Sequence, residues 1–462
     1  MVWGVTSSSP KWDARLWGAL ILLCGIVFLD GLDVSMVGVA LPSIQADLGL
    51  TTSQLQWVVS AYVLGLGGLL LLGGRAADLL GRRRVLIAAL SVFTLASLAG
   101  GLVTDGTLLI AARFLKGAAA AFTVPAALSL ITTTFTEGPA RNKALAIFNA
   151  FGASGFSFGL VFGGLLTSAD WRLTFLLPVP VAALLLAGIP RYIAKDRSYL
   201  GPPRRYDVPG AFLLTAGMLL LVRTVVEAPD TGWAAAETIA GFAIALALLA
   251  AFVAVERRAA QPLVRLGILR NAPLVRANLG AMCLFGAYVG FQFATTLYLQ
   301  GTLGWSALET ALAFLPGGLL VAFGAPRMGA VLSRFGTTRP ILASTVAFTA
   351  GYALFLPVDA TPYPIAFLPT MLLVGLGFAL GYAALNVQAT AGVADHEQGL
   401  AAGLVQTSFQ LGGAIVLATV SAVVSSGYQT AIAVVLGVAV LSVLLALVGV
   451  VRPRTEEALA TN

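Results

Sequence analysis

The sequence predicts an all-α integral membrane protein, and three observations carry that prediction. Hydrophobic residues make up 58% of the 462 positions and charged residues only 10%, against about 25% charged in a typical soluble domain. Uncharged stretches recur from Trp17 to Val451, many of them near the ~20 residues an α-helix needs to cross ~30 Å of hydrocarbon. Short polar segments between them hold most of the Lys and Arg. Such a chain folds with lipid as its solvent, where only helices or closed barrels satisfy every backbone amide.

Hydropathy and helix punctuation place fourteen spans near residues 17–44, 55–74, 84–103, 107–135, 141–168, 172–190, 208–226, 238–255, 274–300, 307–333, 339–357, 364–391, 397–424 and 428–451. The polar lead from Met1 to Arg15 is followed by an apolar stretch without a small-residue cleavage signature, so the first stretch reads as a retained helix. Lys and Arg are held on the cytoplasmic side of short loops. With the N-terminus inside, the clusters Arg82, Arg83 and Arg84, then Arg141 and Lys143, then Lys195, Arg197, Arg204 and Arg205, then Arg257 and Arg258 all fall inside. Arg172 and Arg223 fall outside, and Arg113 and Lys116 lie within a span. An even number of spans preserves this alternation and puts both termini in the cytoplasm.

The stretch from Arg191 to Asp207, with Pro202 and Pro203, and the basic stretch from Glu256 to Arg276 divide the chain. Residues 1–190 form a first bundle of six helices, residues 191–272 hold the linkers and two additional helices, and residues 273–462 form a second bundle of six. Two bundles that rock about a shared centre are a common way of building alternating access.

The segment Gly73-Gly74-Arg75-Ala76-Ala77-Asp78-Leu79-Leu80-Gly81-Arg82-Arg83-Arg84 resembles the cytoplasmic signature loop of the major facilitator superfamily. Its glycines permit a tight turn and close helix approach, and Asp78 can pair with an arginine or cap a helix end. In that family the loop latches a gate, which assigns gating to Gly74, Asp78, Gly81, Arg82 and Arg83. Leu32-Asp33-Val34-Ser35-Met36-Val37-Gly38-Val39-Ala40-Leu41-Pro42, Gln56-Trp57-Val58-Val59-Ser60-Ala61-Tyr62, and Leu297-Tyr298-Leu299-Gln300 followed by Gly304 and Phe314-Leu315-Pro316 resemble the fourteen-span drug/proton antiporter subgroup. The resemblance covers essentially the whole chain. It implies two six-helix bundles with two extra spans and proton-coupled export of drugs or antibiotics by alternating access. The alternative is a facilitator-type exporter or symporter of a physiological metabolite or lipid-like solute. On the fifth span, Gly155, Gly159, Gly163 and Gly164 match the subgroup's glycine-rich signature, but Leu160 stands where proline is usual. These glycines imply close helix packing, near the interface between the two halves.

Ionisable residues at membrane depth cost about 2.5 kcal/mol or more and default to function. Asp30 and Asp33 lie three apart on the first span, and Arg113 and Lys116 lie three apart on the fourth, so each pair shares a helical face. The resemblance sets these two spans side by side, and antiparallel alignment brings Asp33 to the depth of Arg113 and Asp30 to that of Lys116. Lys116 replaces an uncharged residue of the family and position 30 is not usually acidic there, so an added acid balances an added base. The expectation is a structural Asp30–Lys116 ion pair, with Asp33 opposite Arg113 titrating during transport as helix movement changes their separation. The competing possibility is two purely structural salt bridges with protons carried elsewhere.

Polar and aromatic residues within spans mark candidate substrate contacts: Tyr62, Asn149, Tyr288, Phe291, Gln292, Asn386, Gln388, Gln406 and Gln410. Apolar walls with a few amides and rings suit an amphipathic small molecule. Interhelical hydrogen bonding or packing is the alternative for each.

The sequence also excludes. The formal charge of +7 is spread over short loops and forms no nucleic-acid-binding face. One histidine, His396 in an inner loop, and two separated cysteines, Cys24 and Cys283, support no metal site. No G-x-x-x-x-G-K-[ST] loop indicates ATP, and no pore loop or catalytic constellation indicates a channel or an enzyme. The expected partners are the bilayer, protons as the coupling ion and the exported molecule, without a cofactor. The arginine-heavy, lysine-poor and alanine-rich composition suits a bacterial plasma (inner) membrane, and a monomer is expected.

Overall fold

The computed structural model describes residues 12–136, 139–195, 208–259, 266–324, 327–357, 367–393 and 398–451. His396, the basic cluster Arg197, Arg204 and Arg205, and the prolines at 202 and 203 lie outside the described residues.

The described chain is helical, in the order α1 (Ala14–Leu48), α2 (Thr52–Leu80), α3 (Arg82–Leu102), α4 (Gly106–Thr134), α5 (Pro139–Thr167), α6 (Leu173–Leu176), α7 (Pro178–Tyr192), α8 (Val208–Thr231), α9 (Ala236–Glu256), α10 (Ala272–Leu297), α11 (Ala307–Gly324), α12 (Met328–Phe335), α13 (Thr338–Phe355), α14 (Phe367–Thr390), α15 (Gln398–Val424) and α16 (Tyr428–Val451). Ten of the helical segments are long and apolar enough to cross a membrane. Helix starts follow local chemistry: Asp13, Thr51, Asp105 and Asn271 each accept a hydrogen bond from a backbone N–H of the first turn, and Thr51 with Gln54 forms a reciprocal capping box.

Some boundaries differ from the hydropathy limits. The sixth predicted span is split at Leu177, where Pro178 opens α7, and the tenth stops at Gly324 with the separate short helix α12 after it. The supposed signature loop is mostly helix, because α2 continues to Leu80 and α3 begins at Arg82. Only Gly81 intervenes, at φ +99°, a backbone conformation that costs glycine little and other residues much.

The helices pack as two sets. In the first half α1 lies on α5 and α7, α2 on α4, and α3 on α4 and α7; in the second α10 lies on α15 and α16, α11 on α14, and α13 on α14 and α16. We call the end of the molecule where α1 begins the near end and the end where it finishes the far end. The halves meet from mid-depth to the far end, along α5 with α11, α2 with α15 and α1 with α10. Gly164 abuts Ala307 and Ala311, Ser157 Oγ donates to Gly318 O at 2.7 Å, and Gln300 Nε2 donates to Val39 O at 3.0 Å.

Glycine sets the tightest crossings. A Cβ at Gly155 would stand 2.2 Å from Phe28 O, and one at Gly117 2.0 Å from Tyr62 O. No heavier residue permits α5 to lie so close on α1, or α4 on α2. The α5 glycines at 155, 159 and 163 therefore pack inside the first half, and of the four in the signature only Gly164 reaches the other half. Leu160 is buried, and its side chain lies beside Gly318 of α11. The α8–α9 pair stands apart from both sets. α8 lies across α2 and α15, where Val222 and Val225 pack with Val63, Leu64, Ala414 and Ala418, and α9 packs mainly on α8.

Candidate functional site

A charged cluster lies at mid-depth in the first half. Gly117 lets the α4 backbone meet α2 at Tyr62, and the three-residue spacing of Arg113 and Lys116 turns both side chains toward α1. Asp33 is 0% exposed, Arg113 1% and Lys116 0%. Arg113 Nη1 donates to Asp33 Oδ2 at 2.8 Å, its Nε donates to Val58 O at 2.9 Å, and Lys116 Nζ pairs with Asp33 Oδ1. The Arg113 guanidinium lies 4.4 Å from the Tyr62 ring centroid, and the Lys116 ammonium sits 4.9 Å from the Phe93 ring and 5.0 Å from the Phe175 ring. One carboxylate thus holds two cations, and aromatic faces take part of their remaining charge.

The expected Asp30–Lys116 ion pair is not what forms. Lys116 joins Arg113 on Asp33, and Asp30 instead accepts a hydrogen bond from the Tyr62 hydroxyl. The cause is helical geometry. Residues three apart are rotated by about 60° on an α-helix, so when Asp33 faces α4 squarely Asp30 turns toward α2 and the space between the halves. Charge balance survives without the pairing, since Asp30 and Asp33 together match Arg113 and Lys116.

Across that space the second half presents rings. Phe285 and Tyr288 on α10, Phe378 and Tyr382 on α14, and Phe409 on α15 form a closed run of neighbours with centroids 4.9 to 6.5 Å apart. Phe156 of α5 joins it through Tyr288 at 5.8 Å. Gln406 Nε2 donates to Tyr382 Oη at 3.0 Å and to Asn386 Oδ1 at 3.2 Å. Tyr382 is 37% exposed, and Asp30 is close enough to interact with it electrostatically.

Tyr62, Tyr288, Asn386 and Gln406 therefore belong to one region. Others do not. Phe291 is buried inside the second half against Tyr352 and Phe355, at 5.0 and 5.2 Å. Gln388 turns away to donate to Pro273 O at 3.4 Å, and Gln410 packs on Gly67 at the seam of α2, α8 and α15. Gln292 faces Gly38 where α10 crosses α1. In each case the neighbouring helix rather than residue type decides the direction. The side chains of Asn149 and Asp78 lie outside the described residues. Gly74 lies near Pro125, and Arg82 and Arg83 open α3.

Phe156, Phe285, Phe378, Tyr382 and Phe409 escaped the sequence analysis. Their i, i+3 and i, i+4 spacings, at 285/288 and 378/382, were visible, but such spacing equally describes a packed helix face.

The family model described as Major Facilitator Superfamily matches residues 23–417. The chain belongs to the major facilitator superfamily. It is 38% identical to the puromycin resistance protein pur8 of Streptomyces alboniger, over 96% of this chain and 93% of that protein. Identity is 39% to the cephamycin export protein CmcT of Amycolatopsis lactamdurans, over 88% and 85%, and 36% to the lincomycin resistance protein of Streptomyces lincolnensis, over 86% and 82%. The fold is also that of the POT family transporter PepTSo, at TM-score 0.71 and 16% identity, over 97% of this chain and 99% of that one. These superfamily relatives are transporters, not enzymes.

Proposed function

We propose that this chain is a proton-coupled multidrug or antibiotic exporter that works by alternating access. The observation that carries the proposal is the buried Asp33–Arg113–Lys116 cluster, which adjoins a space between two halves lined with rings and amides. Burying three charges is expensive, and intramembrane charge clusters mark proton and ion relays. Relatives named for antibiotic resistance and export, matched over most of their length, supply the substrate class: amphipathic small molecules.

In this proposal the chain has fourteen spans. Besides the ten apolar segments, α2, α5, α8 and α13 have 29, 29, 24 and 18 residues, and at ~1.5 Å per residue even the shortest reaches about 27 Å. Residues 1–190 and 273–462 are the moving bundles, and α8 with α9 is the addition between them. The N-terminus, C-terminus and near end face the cytoplasm of a bacterial cell, and the chain works as a monomer. Contacts between the halves from mid-depth to the far end then describe an inward-facing state. Protons enter at the Asp30, Asp33, Arg113 and Lys116 cluster, and their loading biases which way the centre faces.

Everted membrane vesicles containing the chain, given an acidic interior, test this. Antiport predicts accumulation of exported compound that collapses when a protonophore removes the gradient. Accumulation indifferent to the gradient contradicts it.

A further inference from the structure

A separate cavity lies inside the second half. In that half α10 packs on α14, α14 on α13, α13 on α16 and α16 on α10, and the ring they make encloses the cavity at the near end. Its rim is set by helix ends: Arg276 stands in the second turn of α10, Thr338 opens α13, and Gln388 and Gly449 each lie two residues before the ends of α14 and α16. The volume is about 30 Å³, and since one water needs ~10–15 Å³ the interior has room for about two oxygen atoms. None of its lining comes from the first half.

The polar lining offers donors without an acid to receive them. Arg276 is partly buried, makes no hydrogen bond or ion pair with any described residue, and has its Nε withdrawn from solvent. Ser442 is 5% exposed, and its hydroxyl also has no partner among the described residues. By contrast Ser344 Oγ already donates to Gly377 O at 2.6 Å and Thr345 Oγ1 to Leu342 O at 2.9 Å. Among the described residues of the second half the one acid is Glu309, at the far-end start of α11. A guanidinium drawn out of water without a counter-charge is unfavourable, and its fork matches two oxygens of a phosphate. The first N–H groups of α13, which no side chain caps, add positive potential at the rim. We infer that this cavity binds a phosphate group, with Arg276 bracketing two of its oxygens and the Ser442 hydroxyl donating to the oxygen that enters deepest.

Two sources carry this chemistry. One is free phosphate or a phosphorylated solute in the water at the near end, and the other is an anionic phospholipid whose headgroup turns into the ring from the surrounding bilayer. Either would tie together the near ends of four helices of one half, without joining that half to the other. A ligand held only by the folded chain raises its stability by mass action. None of Asp30, Asp33, Arg113 and Lys116 takes part, so phosphate binding and export succeed or fail separately.

The test uses the purified full-length chain in detergent, washed free of lipid, with inorganic phosphate and dihexanoyl phosphatidylglycerol as separate probes. Equilibrium dialysis measures binding, and thermal melts compare each probe with potassium chloride at equal ionic strength. Saturable binding that raises the melting temperature above the chloride control is expected for at least one probe. Binding of phosphate alone, or of both probes, assigns the aqueous source, and binding of the lipid alone assigns the bilayer. Arg276→Gln should weaken binding by about tenfold or more. Ser442→Val, which fills the cavity and removes the hydroxyl but keeps the arginine, should weaken it comparably and guards against loss of fold in the first variant. Arg276→Lys, which keeps the charge without the fork, should fall between. Gly437→Ala, on α16 but outside the cavity, should bind as the wild type does. Failure of both probes to bind, affinity within about twofold of wild type in both Arg276→Gln and Ser442→Val, or chloride that stabilises as well as the probes would each overturn the inference.

Discussion

Asp33 and Asp30 look interchangeable in sequence, two acids one helical turn apart, yet their surroundings give them different work. Removing the charge of Asp33 leaves Arg113 and Lys116 buried without the carboxylate that both touch, and breaking a buried pair from one side costs about 3–5 kcal/mol. Asp33→Asn should therefore lower thermal stability markedly in a detergent melt, and Asp30→Asn should not. A double-mutant cycle separates direct contact from field. Coupling between Asp33 and Lys116 is expected to exceed about 1 kcal/mol, and coupling between Asp30 and Lys116 to fall below it. The opposite order would restore the pairing that the sequence suggests. Spacing showed which residues share a face, and it correctly placed acids opposite bases. It did not show the rotation of α1, which is fixed by Gly31 of α1 lying against α5 and by Gly155 and Gly159 of α5 lying against α1, and that rotation decides which acid meets the bases.

At the scale of elements, glycines act as spacers with different stakes. Gly155→Ala drives a methyl group into the Phe28 carbonyl and should cost about 1–3 kcal/mol as overpacking, if not more. Gly437 on α16 has open space around it, so Gly437→Ala should be neutral or slightly stabilising. Thermal melts of the two variants check both signs, and equal effects would mean that α5 does not lie on α1 as described. That the chain is built of apolar helices long enough to cross a membrane was legible in the sequence, because hydropathy is a local property. The direction of each polar side chain was less so. Gln406, Gln410 and Gln388 are all amides on α14 or α15, yet Gln406 meets Tyr382 and Asn386, Gln410 meets α2, and Gln388 meets the start of α10. Only helix packing distinguishes them. The aromatic run was hidden for the same reason, since its members come from three helices distant in sequence.

Over the whole molecule, the two halves share a seam at α5 and α11 that alternating access requires to open. A Cβ at Gly318 would lie 3.4 Å from Ser157 Cβ, close to the ~3.5–4.5 Å that a disulfide spans. Ser157→Cys combined with Gly318→Cys, in a chain whose buried Cys24 and Cys283 are replaced by Ala, should cross-link on oxidation. Transport should stop and return on reduction. Flux through the cross-linked form would mean that the seam does not move. The second seam differs, because α8 packs on both α2 and α15, so any separation of those helices must break its contact with one of them. The packing of α8 on both α2 and α15 was not legible in the sequence, because it depends on contacts between helices distant along the chain. The most direct measurement of proton-coupled exchange is proton release when an exported compound is added to purified chain in weakly buffered solution. Proton loading at the Asp30, Asp33, Arg113 and Lys116 cluster, reversed by the exported compound, predicts acidification in step with binding, absent in Asp30→Asn. Saturable binding with no change in pH would contradict it.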